Sequence, residues 1–268
     1  MCHPVTSSDT AVTWDNSWYY VTGNVTLSAG VTVVGKVSLV LADDATLTVT
    51  QTDTAKAGIA VTNGCSLVIY GQTKGNGALN ASSGPNATSS SYNGAGIGGN
   101  KGDNGNAKGD CGNIVICGGN ITARGSYYGA GIGGGYYGAG GTVTVYGGTV
   151  TATGGTNGAG IGGGQYKNGG TVTIYDGTIV ANGGTNGAGI GGGNSGAGGR
   201  VDVYGGNIEA TGGSGSYTVG IGEVTTTVVA YIEDETIAKR HVVEHLRKPT
   251  ITSTRGETAI IHIADIIL

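Results

Sequence analysis

Cleaving a polysaccharide needs carboxylates brought together on one face, because one acid must protonate the leaving oxygen while a second activates water or attacks. The repeated part of this chain offers Asp176, Asp202, Glu209 and Glu223. Alternation along the strands places Asp202 and Glu209 on different faces and leaves Asp176 in a turn, so no pair is expected to converge. His241-Val242-Val243-Glu244-His245 spells the H-x-x-E-H order of certain zinc peptidases, in which two histidines four apart share a helix face with a glutamate as base. Only 23 residues follow it, with Glu257 the sole later glutamate, and the match reads as coincidence. Neither a G-x-S-x-G elbow nor a phosphate-loop lysine accompanies the glycine runs. The residues therefore lean against catalysis, and no catalytic residue, metal or cofactor is expected.

Binding chemistry is better supplied. Tyr127, Tyr128, Tyr136, Tyr137 and Tyr166 lie in turns beside glycine-rich segments, and Tyr146, Tyr175 and Tyr204 recur at one strand end, with Tyr70 and Cys117 at the matching positions upstream. Tyrosine offers an apolar ring face together with a polar hydroxyl, which suits contact with sugar rings, and these eight residues from Tyr127 to Tyr204 are the candidate ligand-binding set. The same rows also suit a structural aromatic ladder. Asp103, Asn104, Asn106 and Asp110 gather hard oxygen ligands, but their spacing fits no EF-hand or nine-residue calcium repeat, and a solvated loop is expected. The four cysteines, at 2, 65, 111 and 117, lack C-x-x-C spacing. Cys65 and Cys111 each precede an aligned strand, which brings a disulfide between them within reach; two small buried thiols are the plainer expectation.

The elements that must position these residues follow from one repeat. Gly94-Ala95-Gly96-Ile97-Gly98-Gly99 returns at 129–135, 158–164 and 187–193 and decays at Val219-Gly220-Ile221-Gly222. The central isoleucines 97, 132, 161, 190 and 221 are spaced by 35, 29, 29 and 31 residues, a fixed period that marks stacked repeats. Between the glycine motifs run strands of period two, such as Thr171-Val172-Thr173-Ile174-Tyr175 and Thr178-Ile179-Val180-Ala181-Asn182. Residues 14–81 carry the same alternation in shorter pieces, too closely spaced for crossover helices. The expected fold is all-β, a right-handed parallel β-helix of three strands per coil with terminal caps. Its interior should receive Ile161, Val172, Ile174, Ile179 and Ala181 of one coil above their equivalents in the next.

Outward positions then sort by face. The first face would show only glycine (Gly131/Gly133, Gly160/Gly162, Gly189/Gly191), a flat wall of backbone that a second copy could approach. The second carries threonines and the tyrosine row. The third carries Thr149/Thr151/Thr153 and its equivalents, where Arg124, Val180 and Glu209 interrupt a regular threonine array of the kind that orders ice.

Composition agrees with a stack. The 268 residues include 58 glycines, 3 prolines and no phenylalanine, with 11% charged residues and a net charge of −4. The lysines and arginines are scattered, so neither nucleic acid nor an anionic membrane is an expected partner. No 18-residue apolar run signals membrane insertion, and no leader opens this sequence. The organisation expected is an N-terminal cap at 1–24 containing Trp14, Trp18, Tyr19 and Tyr20, and a β-helix over 25–222. Its coils are irregular over 25–111, where loops are inserted at 82–93 and 100–111, and regular over 112–222. Residues 223–268 are expected as a C-terminal cap or edge segment, for which a short helix near 234–246 with strands after it is one reading.

The opening Trp14-Asp15-Asn16-Ser17-Trp18-Tyr19, the segments Leu39-Val40-Leu41-Ala42-Asp43 and Leu67-Val68-Ile69-Tyr70-Gly71-Gln72, and the repeated G-A-G-I-G-G-G with G-G-T-V-T-[VI]-Y carry a resemblance. Over residues 14 to about 222 the chain resembles bacterial, largely gut-associated, glycine-rich right-handed β-helix proteins labelled as containing a carbohydrate-binding domain. The resemblance implies a secreted or cell-surface role, with glycans as partners. Together these features point to a non-catalytic carbohydrate-binding or adhesive module. Two alternatives stand beside it: a spacer that assembles through its glycine face, and a polysaccharide lyase or hydrolase of the pectin-lyase-like type.

Overall fold

Every coil spends its alternating apolar residues on the same three inner walls, and the computed structural model shows how they stack. It describes residues 2–7, 12–84, 93–104 and 107–215, together with the strand backbones Glu223–Thr225 and Thr258–His262. Three sheets run the length of the molecule, with nine, eight and seven strands among the described residues, and no α-helix occurs there. A representative coil begins with the two-residue strand Ile161–Gly162, continues through Thr171–Ile174 and Thr178–Asn182, and returns at Ile190–Gly191. Each strand pairs in parallel with the same strand of the neighbouring coil, so the chain winds as a β-helix, right-handed as parallel crossovers are.

The register makes columns of like residues about 4.8 Å apart. Val143, Val172 and Val201 align on the second sheet, Val150, Ile179 and Ile208 on the third, and Ile132, Ile161 and Ile190 on the first. All are buried in one continuous core. The first-sheet column also runs back from Ile97 through Ile59 to Val31, although the glycine motif is absent from those earlier coils. Every buried side-chain nitrogen and oxygen among the described residues has a hydrogen-bond partner.

The first strands close one end of this core. Trp14 is fully buried and stacks on Tyr19 with ring centroids 5.1 Å apart, and His3 covers the other side of Tyr19 at 5.3 Å. Trp14 and Tyr19 are inward members of the first coil, in register with Val33 and Leu39, so residues 12–21 already belong to the stack. At the far end Thr258–His262 pairs antiparallel with Asn207–Thr211 along the edge of the third sheet. The expected helix near 234–246, the H-x-x-E-H stretch, the decayed motif at 219–222, and residues 85–92 of the first inserted loop lie outside the described residues.

Cys65 and Cys111 are both free thiols, as are Cys2 and Cys117. The register explains why the two former do not face each other: Ser66 pairs with Asn113, which sets Gly112 opposite Cys65 and displaces Cys111 by one residue. Burial, reinforced by the charge of Asp110, pushes the Cys111 thiol up to about 12 from an ordinary value of 9.0. The folded state thus holds a neutral thiol where the unfolded chain ionises, so this contribution to stability is intact below pH 9.0 and is lost as pH rises towards about 12. Alkylation followed by peptide mass spectrometry at neutral pH is expected to label the exposed Cys2 and Cys117 in the folded protein and Cys111 only after denaturation. Rapid labelling of Cys111 in the folded state would contradict the register.

Candidate ligand-binding surface

The glycine segments are not a wall open to solvent. Gly131, Gly133, Gly160, Gly162, Gly189 and Gly191 are all buried, which corrects the expectation of a bare face for self-association. Within each copy the segment pinches on itself: the N–H of Ala95, Ala130, Ala159 and Ala188 donates to the carbonyl of Gly99, Gly134, Gly163 and Gly192 at 2.9 to 3.1 Å. Pinching brings the loops before and after the segment together, and they close over it. The N–H groups of Lys101, Tyr136, Gln165 and Asn194 donate to the carbonyls of Ala55, Asn93, Tyr128 and Asn157 at 2.7 to 3.0 Å, each bond crossing from one loop to the other in the preceding coil. Only the isoleucine reaches the main core; Ala95 packs instead with Ala57 and Ala60 in a separate cluster.

Crowding explains the residue choice. Gly98, Gly133, Gly162 and Gly191 have φ between +134° and +150°, backbone that other residues rarely adopt. A Cβ added to Gly162 would also be driven into the carbonyl oxygen of Gly191 in the next coil.

The closed loops present a row of side chains along the molecule, and five of the predicted binding tyrosines meet there. Tyr128 stacks on Tyr136 at 4.5 Å, Tyr127 meets Tyr128 edge-on at 4.7 Å, and Tyr137 lies 4.4 Å from Tyr136 and 5.1 Å from Tyr166. Burial and a hydrogen bond shared with Tyr137 push the Tyr136 hydroxyl up to about 12, so it remains a neutral donor at physiological pH. Tyr166 is 45% exposed. Tyr137 and Tyr166 hold left-handed backbone at φ 53° and 68°, in the tight turns after the glycine motif. Further along the row the amide oxygen of Asn157 accepts from the side-chain nitrogens of Asn186 at 2.8 Å and Asn194 at 3.2 Å.

Tyr146, Tyr175 and Tyr204 form a second group, at the corner that follows the second sheet. Tyr146 and Tyr175 stack at 4.8 Å and 3° between planes, and Tyr175 and Tyr204 at 4.9 Å and 10°. Ring spacing here equals strand spacing, so the ladder follows directly from the register. Cys117 takes the preceding rung, and Tyr70 before it turns to stack with Trp18 at 5.4 Å. Such ladders stabilise neighbouring coils by contact between ring faces.

Asp176, Asp202 and Glu209 stay apart; the side chain of Glu223 lies outside the described residues. Asp202, on the second sheet beside Thr173, is buried and receives the Arg200 Nε–H at 2.7 Å, whereas Glu209 faces outward on the third sheet beside Val180. Asp176 is exposed in the turn, where its Oδ1 accepts from the Gly177 N–H. In the inserted loop, Asp110 Oδ1 accepts from the Ala139 N–H at 2.8 Å. No group of three or more His, Cys, Asp or Glu side chains able to hold a metal is found among the described residues.

The family described as Beta helix repeat matches residues 114–136, 143–165 and 172–194. By fold the chain is a parallel β-helix, and three of its coils are similar to that family's repeat. Each matched unit begins in a second-sheet strand, takes in a third-sheet strand and ends on the loop residue just past the glycine pinch; of the loop tyrosines, Tyr127, Tyr128 and Tyr136 fall within the match and Tyr137 and Tyr166 lie just beyond it. No curated protein and no solved structure matches the chain.

Proposed function

We propose that this β-helix repeat protein is a non-catalytic, secreted or cell-surface module that binds glycans through the loop row, with Tyr128, Tyr136, Tyr137 and Tyr166 as the platform. The observation that carries the reading is the left-handed backbone of Tyr137 and Tyr166. An L-residue there costs about 1–2 kcal/mol relative to glycine, and neither ring enters the main core. Ser195 holds the same left-handed turn in the next coil at φ 63°, so the turn belongs to the repeat, and the placing of two tyrosine rings on it supports a role for them at the surface. The repeat fold is equally compatible with a polysaccharide-cleaving enzyme of the pectin-lyase-like type. Separation of Asp202 and Glu209 on different sheets favours binding without cleavage.

Replacing Tyr166 by glycine separates the two roles a tyrosine could have. Relief of backbone strain is expected to leave thermal stability unchanged or to raise it by up to about 1 kcal/mol, while glycan binding falls about tenfold or more with the loss of a stacking face. Calorimetric titration against a panel of plant and host polysaccharides, run beside thermal melts, measures both. Undiminished binding by the variant, or no binding by the parent to any member of the panel, would remove the proposal.

A further inference from the structure

Lys101 occupies the position in its loop that Tyr136, Gln165 and Asn194 occupy in the following coils, because all four make the same bond to the preceding coil. It is therefore the rung next to Tyr136, and the adjoining Gly102 N–H donates to the Tyr136 carbonyl at 2.8 Å. Beside it opens a cleft of about 440 Å³ lined by Thr62, Asn63, Asn100, Lys101, Ala107 and Lys108. Through Asn63 this cleft adjoins a second of about 430 Å³, whose walls include Lys36, Ser66, Asn113 and Thr142. The linings contain three lysines, amides and hydroxyls, and no carboxylate. Two acids share this loop, Asp103 and Asp110, neither of them lining a cleft, and Asp110 directs an oxygen to the Ala139 N–H. Lys36 and Lys101 are exposed and have no ion-pair partner among the described residues.

In a chain of net charge −4 this is a local concentration of positive charge, and each cleft has the size of a small-ligand site. We infer that the loop row binds an anionic glycan, its sugar faces on the tyrosines and its acidic groups at Lys101 and in the adjoining lysine-lined clefts. The inference rests on the glycan reading and narrows its ligand class. Carboxylates and sulfates share the required chemistry, and both would be met by ammonium groups with amide and hydroxyl donors beside them.

The test is calorimetric titration of the full chain with polygalacturonate, with the same polymer after carboxyl reduction, and with a sulfated galactan. Polygalacturonate should bind about tenfold or more tightly than its neutral counterpart, and the advantage should shrink as salt is raised from about 0.05 M to about 0.5 M. The double substitution Lys36→Gln with Lys101→Gln should bring polygalacturonate down to the neutral level without moving the melting temperature. Equal capture of the sulfated chain supports recognition of charge alone; capture of the uronate chain only supports recognition of carboxylate shape. Binding of acidic and neutral chains with one affinity, or an unchanged affinity in the double variant, overturns this inference and leaves the glycan reading standing. Failure of every glycan to bind overturns both.

Discussion

Gly162→Ala should destabilise the stack by about 3 kcal/mol or more, the sum of a strained φ and a backbone collision. At φ +134° an L-side chain is disfavoured, and its Cβ would meet the Gly191 carbonyl, which belongs to main chain on the next coil and cannot swing aside. Relief requires the two coils to separate, which would break the parallel pairing of Ile161 with Ile190. Gly147→Ala is the matched control: its nearest neighbour, the Cys117 carbonyl oxygen, would lie 3.9 Å from the new methyl. That variant should stay within about 0.5 kcal/mol of the parent, since little contact changes at a surface turn. Denaturant melts of the two proteins give the comparison directly. Similar midpoints would mean that the glycine pinch is not as tight as described.

Ile161→Ala is expected to cost about 2–5 kcal/mol, the range for removing a large buried aliphatic chain. Ile161 is completely buried between Ile132 and Ile190 in a strand of only two residues, so few other side chains on that wall can move in to fill the space. Because coils contact mainly their neighbours, the loss should also loosen the protection of adjacent coils. Hydrogen exchange should then show faster exchange at Ile132 and Ile190 than at Leu39 or Leu47, which lie several coils away. A uniform change along the whole chain would instead mean that the stack melts as one unit.

The inner columns were legible in the sequence because two periods coincide there: alternation within a strand, and a recurrence of 29 residues between coils. Val172, Ile174, Ile179 and Ala181 could be assigned to the interior from those periods alone, and the same argument placed Tyr146, Tyr175 and Tyr204 in one row. Burial of the glycine face was not legible, since alternation says which way a residue points and not what folds across it. A clue lay in Gly129, Gly135, Gly158 and Gly164, small residues at both ends of the motif where two loops must pass closely. The extension of the isoleucine column to Ile59 and Val31 was hidden by irregular spacing, with loops of different length separating those strands. The one-residue offset of Cys111 from Cys65 depends on how the Asn63–Gly64 turn packs against Asp110, a detail beyond any spacing rule. Among the candidate site residues, the sequence separated the turn tyrosines from the strand-end row, but not how Tyr127, Tyr128, Tyr136, Tyr137 and Tyr166 meet in one cluster. It did not single out Lys101, because its equivalence to Tyr136 becomes visible only through the hydrogen bonds that zip the loops.

The reversed strand Thr258–His262 has a bearing on solubility. A stack of parallel coils is its own template, and a bare last rung would invite another molecule to continue the winding. On the third sheet that invitation is withdrawn, because the terminal hydrogen-bonding groups of Asn207–Thr211 already meet a strand of opposite direction. An incoming coil of the same sense would find the wrong bonding pattern along that wall, which discourages end-to-end fibre growth.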